Sequence, residues 1–208
     1  MLVLSITEVS KQRLRILLDT EESFVLYKGE IRLLKLKEGQ EISESTYNSI
    51  VKGILPKRAK MRAMNLLQER NYTEYNLEKK LLDGGYPEYV AEEALEYVKS
   101  FGYVDDLKYA QMYIKEKEGQ RTRPEIMQKL LSKGISTRIT EEAYRILGEE
   151  REEYGEATSS DLEEELIRKT LRKRGFTGGD YEEKQKMLAY FYRRGFDINK
   201  VRRIMDEI

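Results

Sequence analysis

Apolar positions along this chain follow two different periods, and the change falls near residue 56. Before it, the runs LVLSITEV, QRLRILLD, SFVLYK and EIRLLKL are short, rich in Val, Ile, Leu and Phe, and separated by TEE and KGE. Short apolar runs bounded by turn residues predict strands. QRLRILL and SFVLYK fit a hairpin, and Lys28-Gly29-Glu30 fits a second turn. A helix follows in ISESTYNSIVKGILP, where Ser43 suits the N-cap and Tyr47, Ile50, Val51 and Ile54 share one face. Pro56 closes it. The first section, residues 1–56, is therefore expected to be a small β-meander plus a helix.

From Lys57 onward the period is helical. Leu77, Leu81 and Leu82 share a face, Gly84-Gly85 stops that helix, and Pro87 suits the first turn of the next. Val90, Ala91, Ala94, Leu95 and Val98 form another stripe, ended by Gly102. Three segments then align: LEKKLLDGGYPEYVAEEAL (77–95), IMQKLLSKGISTRITEEAY (126–144) and MLAYFYRRGFDINKVRRIM (187–205). Gly85, Gly134 and Gly195 superpose, as do Leu81, Leu130 and Phe191, and Tyr86, Ile135 and Phe196 after the glycines. Ala94, Ala143 and Ile204 also fall together. Each segment is preceded by another amphipathic stretch, so the unit is helix, helix, glycine turn, helix. Repeats of this period signal supersecondary units that bury their faces against one another. The expected units are residues 57–104, 105–148 and 161–208, with an acidic hinge at 149–160.

Adjacent carboxylates at Asp105 and Asp106 invite a catalytic reading, but they sit between Gly102 and an apolar face of Tyr109, Ala110, Tyr113 and Ile114. An acid at that position accepts hydrogen bonds from the free N–H groups of a first helical turn and meets the positive end of the helix. No third ligand or proton shuttle lies nearby. Ser160-Asp161 repeats the device before LEEELIRKTL, with Ser160 and Glu163 at capping-box spacing.

Composition narrows the chemistry further. The 208 residues contain no Cys, His or Trp, which excludes thiolate catalysis, Cys/His zinc sites, disulfides and a Ser-His-Asp triad. No apolar stretch approaches a membrane span, and the first residues lack the layout of a secretion signal. The expectation is a cytoplasmic protein without a cofactor or metal. Basic and acidic residues balance at 38 each, but they are segregated. Residues 149–165 hold nine acids and one base, whereas 166–208 hold twelve bases and six acids. Such asymmetry suits a basic surface with an anionic partner, or a solvated linker followed by an ordinary charged helix pair.

The run FGYVDDLKYAQMYIKEKEGQRTRPEIMQKLLSKGI (101–135) resembles the RecX family of RecA regulators. The shared features are a Gly-apolar-x-Asp-Asp helix start, a basic Gly-containing loop, a Pro-initiated helix and a terminal Lys-Gly-Ile. AMNLLQERNYTEYNLEKKLLDGGYPEYVAEEALEYV (63–98) resembles the first repeat of that family in the same register. Residues 161–208 share only the repeat pattern, and residues 1–56 carry no motif of the family. The resemblance implies a mainly α fold of three tandem three-helix repeats in an elongated curved rod. It implies binding in the groove of a RecA–DNA nucleoprotein filament, limiting filament growth, ATPase and strand exchange. No active site is implied, and a monomer is expected. The repeats carry more acid than the family pattern suggests, for instance Glu92-Glu93 and Glu141-Glu142, which bears on direct DNA affinity more than on RecA binding.

A filament-groove binder needs a long surface for protein and phosphate without base specificity. The candidate clusters are Lys57, Arg58, Lys60 and Arg62, then Arg121 and Arg123 in an inter-helix loop. Arg168, Lys169, Arg172, Lys173 and Arg174 follow, and lastly Arg193, Arg194, Arg202 and Arg203. Arg168 and Arg172 are four apart and share a helical face. Tyr109 and Tyr113 have core spacing, while Tyr75, Tyr89 and Tyr192 are candidate interface anchors. Two other functions fit the same pattern: a helical-repeat adaptor for another protein, and a non-sequence-specific DNA-binding protein. A magnesium nuclease would need a clustered carboxylate set, which the sequence does not offer.

Overall fold

The computed structural model describes residues 1–178 and 180–208. It divides into two compact units, Met1–Asp105 and Asp106–Ile208.

In the first unit, β1 (Val3–Ser10), β2 (Arg13–Leu18) and β3 (Ser23–Tyr27) form an antiparallel sheet in that order. The meander stops there. The fourth apolar run instead begins helix α1 (Lys28–Leu33), and the expected Lys28-Gly29-Glu30 turn is its first turn. The Glu30 carboxylate decides this by reaching back to accept the Tyr27 N–H at 2.7 Å, which satisfies an otherwise orphaned donor.

Helix α2 (Glu44–Ser49) starts as expected, with the Ser43 hydroxyl accepting the Thr46 N–H at 3.1 Å. Pro56 does not close it. The chain passes through a π turn (Ile50–Ile54) directly into α3 (Leu55–Glu69), with Pro56 in the first turn of α3. Proline lacks an N–H and crowds the preceding turn. The wider π turn absorbs that misfit, and the Leu55 N–H reaches back to the Ile50 carbonyl.

Helices α4 (Glu74–Asp83) and α5 (Glu88–Ser100) complete this unit. One core joins sheet and helices: Val3, Ile16, Leu18, Phe24 and Leu26 pack with Leu55, Ala59, Leu77, Leu81 and Val98. The outer edge of β3 is covered rather than exposed. The Val25 N–H donates to the Gly85 carbonyl at 3.3 Å, and Arg58 donates to the Val25 carbonyl at 3.3 Å. Gly85 has φ +85, and a Cβ there would collide with the Val25 side chain. The glycine therefore serves both the turn and the close approach of helix to sheet.

The second unit contains α6 (Asp106–Lys117), α7 (Arg123–Leu131), α8 (Thr137–Tyr154), α9 (Ser159–Lys173), α10 (Tyr181–Arg193) and α11 (Ile198–Asp206). It has two separate cores. Ala110, Ile114, Ile126, Leu130, Ala143 and Leu147 belong to one, and Leu166, Ile167, Leu171, Phe191, Val201 and Ile204 to the other.

The repeat is visible in backbone hydrogen bonds. At each of its glycine turns the residue after the glycine donates five positions back: Tyr86 to Leu81, Ile135 to Leu130 and Phe196 to Phe191. This is the Schellman closure, with Gly85, Gly134 and Gly195 all at positive φ. Leu81, Leu130 and Phe191 are fully buried, as are Ala94, Ala143 and Ile204. The fold is mainly helical, with a small sheet followed along the chain by three three-helix repeats.

Asp105 lies directly before α6 and Asp106 opens it. Ser160 is not a cap. The N-cap of α9 is Thr158, whose hydroxyl accepts the Asp161 N–H at 3.2 Å while the Asp161 carboxylate accepts the Thr158 N–H at 2.9 Å. Two overlapping registers compete here. Ser159 settles the choice, because its hydroxyl is held in the first turn by Glu118 and Arg151. Of the acidic stretch 149–160, residues through Tyr154 are helical, and α8 ends at Gly155 in the left-handed conformation with φ 66.

Candidate functional site

The basic residues singled out in the sequence have different surroundings in the structure. Several are neutralised locally. Arg58 pairs with Glu30 at 2.9 Å and lies over Tyr27, 4.2 Å from the ring centroid, while Lys60 pairs with Glu93 at 2.7 Å. Arg168 pairs with Glu207 at 2.5 Å, and Arg203 with Glu164. These cations tie helices together. Lys57, Arg62, Arg172, Arg193 and Arg202 are exposed.

A smaller set converges in the second unit. Lys169, Lys173, Arg174 and Arg194 line a groove of about 410 Å³ between the second and third repeats, together with Gln120 and Tyr190. No carboxylate is among the lining residues. Lys169 and Lys173 are four apart on α9, which places them on one face. The face expected from Arg168 and Arg172 is a different one, and Glu207 occupies part of it.

Tyr190 organises the groove. The Arg174 guanidinium lies 3.5 Å from its ring centroid, and Arg194 donates to its hydroxyl at 3.1 Å. Partial burial pushes the phenol up, but hydrogen bonding and charge from Arg194 and Arg174 outweigh it and hold it below the usual tyrosine value. The two guanidiniums thus favour the ionised phenol. Arg194 itself is anchored by Glu125, which accepts from Nε at 2.9 Å and Nη2 at 3.0 Å. Burial opposes ionisation of Glu125, yet the Arg194 fork and the Thr122 N–H hold its carboxyl below the ordinary range. The Thr122 hydroxyl also donates to the Arg194 carbonyl at 2.8 Å.

Arg121 and Arg123 line an adjoining cleft of about 500 Å³, with Tyr144, Ser159, Lys200 and acidic residues among its walls. Arg123 covers the Tyr144 ring at 4.4 Å. Burial and the Glu118 charge raise the Tyr144 phenol. Beside this cleft Arg151 and Glu118 form an ion pair at 2.5 Å, with side chains 9% and 8% exposed. Sequence reasoning missed Tyr190, Gln120 and the Arg151–Glu118 pair. Tyr190 precedes the buried Phe191, so core spacing hides it, and Arg151 sits in an acidic run that reads as solvated.

Tyr75, Tyr89 and Tyr192 are exposed, at 48%, 45% and 73%. The Tyr89 hydroxyl nevertheless donates to Glu22 at 3.0 Å. Among the described residues no group of three or more His, Cys, Asp or Glu could hold a metal, and no helix is long and apolar enough to cross a membrane.

The architecture and this chain's sequence match known proteins. A family model described as RecX, first three-helix domain, matches residues 59–97, and one described as RecX, third three-helix domain, matches residues 162–205. The third repeat thus carries more family signal than its repeat pattern alone discloses. "Regulatory protein RecX" of Caldanaerobacter subterraneus subsp. tengcongensis is 28% identical over 192 residues, covering 92% of this chain and 91% of the relative. The protein of that name from Clostridium acetobutylicum is 26% identical over 198 residues, covering 95% and 91%. Among solved structures, a crystal structure of regulatory protein RecX superposes with a TM-score of 0.63 at 23% identity, covering 98% of both chains. RecX from Lactobacillus salivarius superposes at 0.59 and 20%, covering 74% of this chain and 96% of that one. With two of its three-helix repeats matched by family models, near full-length likeness to regulatory proteins of one name and the same fold, the chain belongs to the RecX family.

Proposed function

We propose that this protein regulates the RecA recombinase by binding in the groove of the RecA–DNA filament, limiting its extension, ATPase and strand exchange. It acts as a cytoplasmic monomer and catalyses no reaction of its own. Family membership supports the partner, and the groove of Lys169, Lys173, Arg174 and Arg194 around Tyr190 is the observation that supports the surface. An acid-free cationic groove suits phosphate or an acidic protein face without reading bases. Arg121 and Arg123 stand in the adjoining cleft of mixed charge, while the exposed Arg172, Arg193 and Arg202 are available for long-range attraction.

The test is RecA ATPase on single-stranded DNA with this protein titrated well below one per RecA. Inhibition at such ratios is expected, because a filament-level regulator acts sparsely and a stoichiometric competitor for DNA does not. The double variant Lys169→Glu, Lys173→Glu, folded by circular dichroism, is expected to need at least about tenfold more protein, since each reversed contact contributes about 1 kcal/mol. Equal potency of the variant would remove the groove from the interface. No inhibition by the native chain would remove RecA.

The same groove also favours a second reading, direct non-sequence-specific DNA binding. That reading predicts affinity for naked DNA that falls steeply with salt and needs no RecA.

A further inference from the structure

The first unit carries a second cationic concavity, remote in sequence from the groove above. It has a volume of about 580 Å³, with Leu14, Ile31 and Leu36 as an apolar floor and Arg32, Lys35 and Lys37 on its rim. Lys28 also borders it and is 3.6 Å from Glu8. Arg32, Lys35 and Lys37 are exposed, and none makes an ion pair with a carboxylate among the described residues.

The backbone at Lys35 is an independent sign. After α1 the Leu36 N–H donates to the Ile31 carbonyl at 3.0 Å and the Lys35 N–H to the Arg32 carbonyl at 3.2 Å. This is the same Schellman closure used in the repeats. In those closures the left-handed residue is glycine, as at Gly85, Gly134 and Gly195, but after α1 it is Lys35 at φ 54. A side chain with a Cβ in that conformation is strained relative to glycine. Lys35 thus places a cationic side chain on the cavity rim at a position where the equivalent turns of the repeats carry glycine.

We propose that this concavity docks an acidic peptide segment bearing one large apolar side chain, the apolar group on the Leu14–Ile31–Leu36 floor and its flanking carboxylates on Arg32, Lys35 and Lys37. Charge complementarity selects the acidic flanks. No aromatic ring lines the floor, so stacked bases find no platform there, and a peptide fits better than nucleic acid. Docking here needs neither RecA nor the groove of the second unit.

The experiment is fluorescence anisotropy on the full chain with three labelled probes. These are an Asp/Glu peptide with one central Leu, the same peptide with Ser in its place, and a single-stranded oligonucleotide. The native protein should bind the Leu peptide more tightly than the Ser peptide. Lys35→Gly should weaken the Leu peptide about fivefold, the size of one surface ion pair, and Arg32→Ala with Lys37→Ala should weaken it further. Lys35→Gly should also melt at an equal or higher temperature, because glycine relieves the backbone. Affinity unchanged in both variants would overturn the proposal. So would a lower melting temperature for Lys35→Gly, equal binding of Leu and Ser peptides, or loss of oligonucleotide rather than peptide binding.

Discussion

The two units are joined internally by different physics. In the first, one apolar core runs from Val3 in β1 to Val104, and sheet and helices share it. In the second, two cores lie side by side, and polar contacts connect the repeats that contain them. Those contacts are the Arg194–Glu125 fork, the Thr122 hydroxyl on the Arg194 carbonyl, and the Arg151–Glu118–Ser159 cluster. Gly195 adds close backbone approach, since a Cβ there would lie 2.9 Å from Pro124. Apolar burial is non-directional and involves no ionisable group, whereas a polar joint depends on geometry, ionisation and charge screening. The first unit should therefore unfold as one body, and the second should be adjustable at its junction.

The largest effect is expected from Phe24→Ala, at a residue 1% exposed in the shared core. It should cost about 3–5 kcal/mol. Hydrogen exchange should show the sheet and α3–α5 losing protection together. Retained protection in the helices alone would mean that the sheet is an appendage.

Next in size is Arg151→Ala, which leaves Glu118 charged and buried. Breaking a buried pair costs about 3–5 kcal/mol, toward the low end here because Ser159 still donates to Glu118. Denaturation followed by exchange should locate the loss in residues 106–208, with the first unit unchanged. The paired change Arg151→Met, Glu118→Leu should recover most of it; if it does not, packing rather than charge carries the joint.

The smallest effect is a pH dependence at the junction between the second and third repeats. The folded Glu125 carboxyl lies below its ordinary 4.5. Its contribution is therefore complete above about pH 4.5 and disappears as pH falls through the lowered folded value. Glu125→Gln should cost about 1 kcal/mol at neutral pH, reduced by partial exposure, and nothing once the native carboxyl is protonated. A difference that persists in strong acid would assign the effect to shape instead of charge.

The repeats are legible in the amino-acid order alone. Leu81, Leu130 and Phe191, the alanines at 94 and 143, and the glycine turns follow from helical period and local backbone preference, and local interactions leave a periodic trace. Ser43 as a cap was legible for the same reason. The tertiary structure decided what depends on residues distant along the chain. It passed Pro56 through a π turn into α3, placed the α9 cap at Thr158 through Ser159 and Glu118, and covered β3 with Gly85 and Arg58. It also sorted the cations, neutralising Arg58, Lys60, Arg168 and Arg203 while leaving Lys169, Lys173 and Arg174 around a groove. A charge run states how many cations exist, but which of them meet a carboxylate is fixed only when helices dozens of residues apart are packed together.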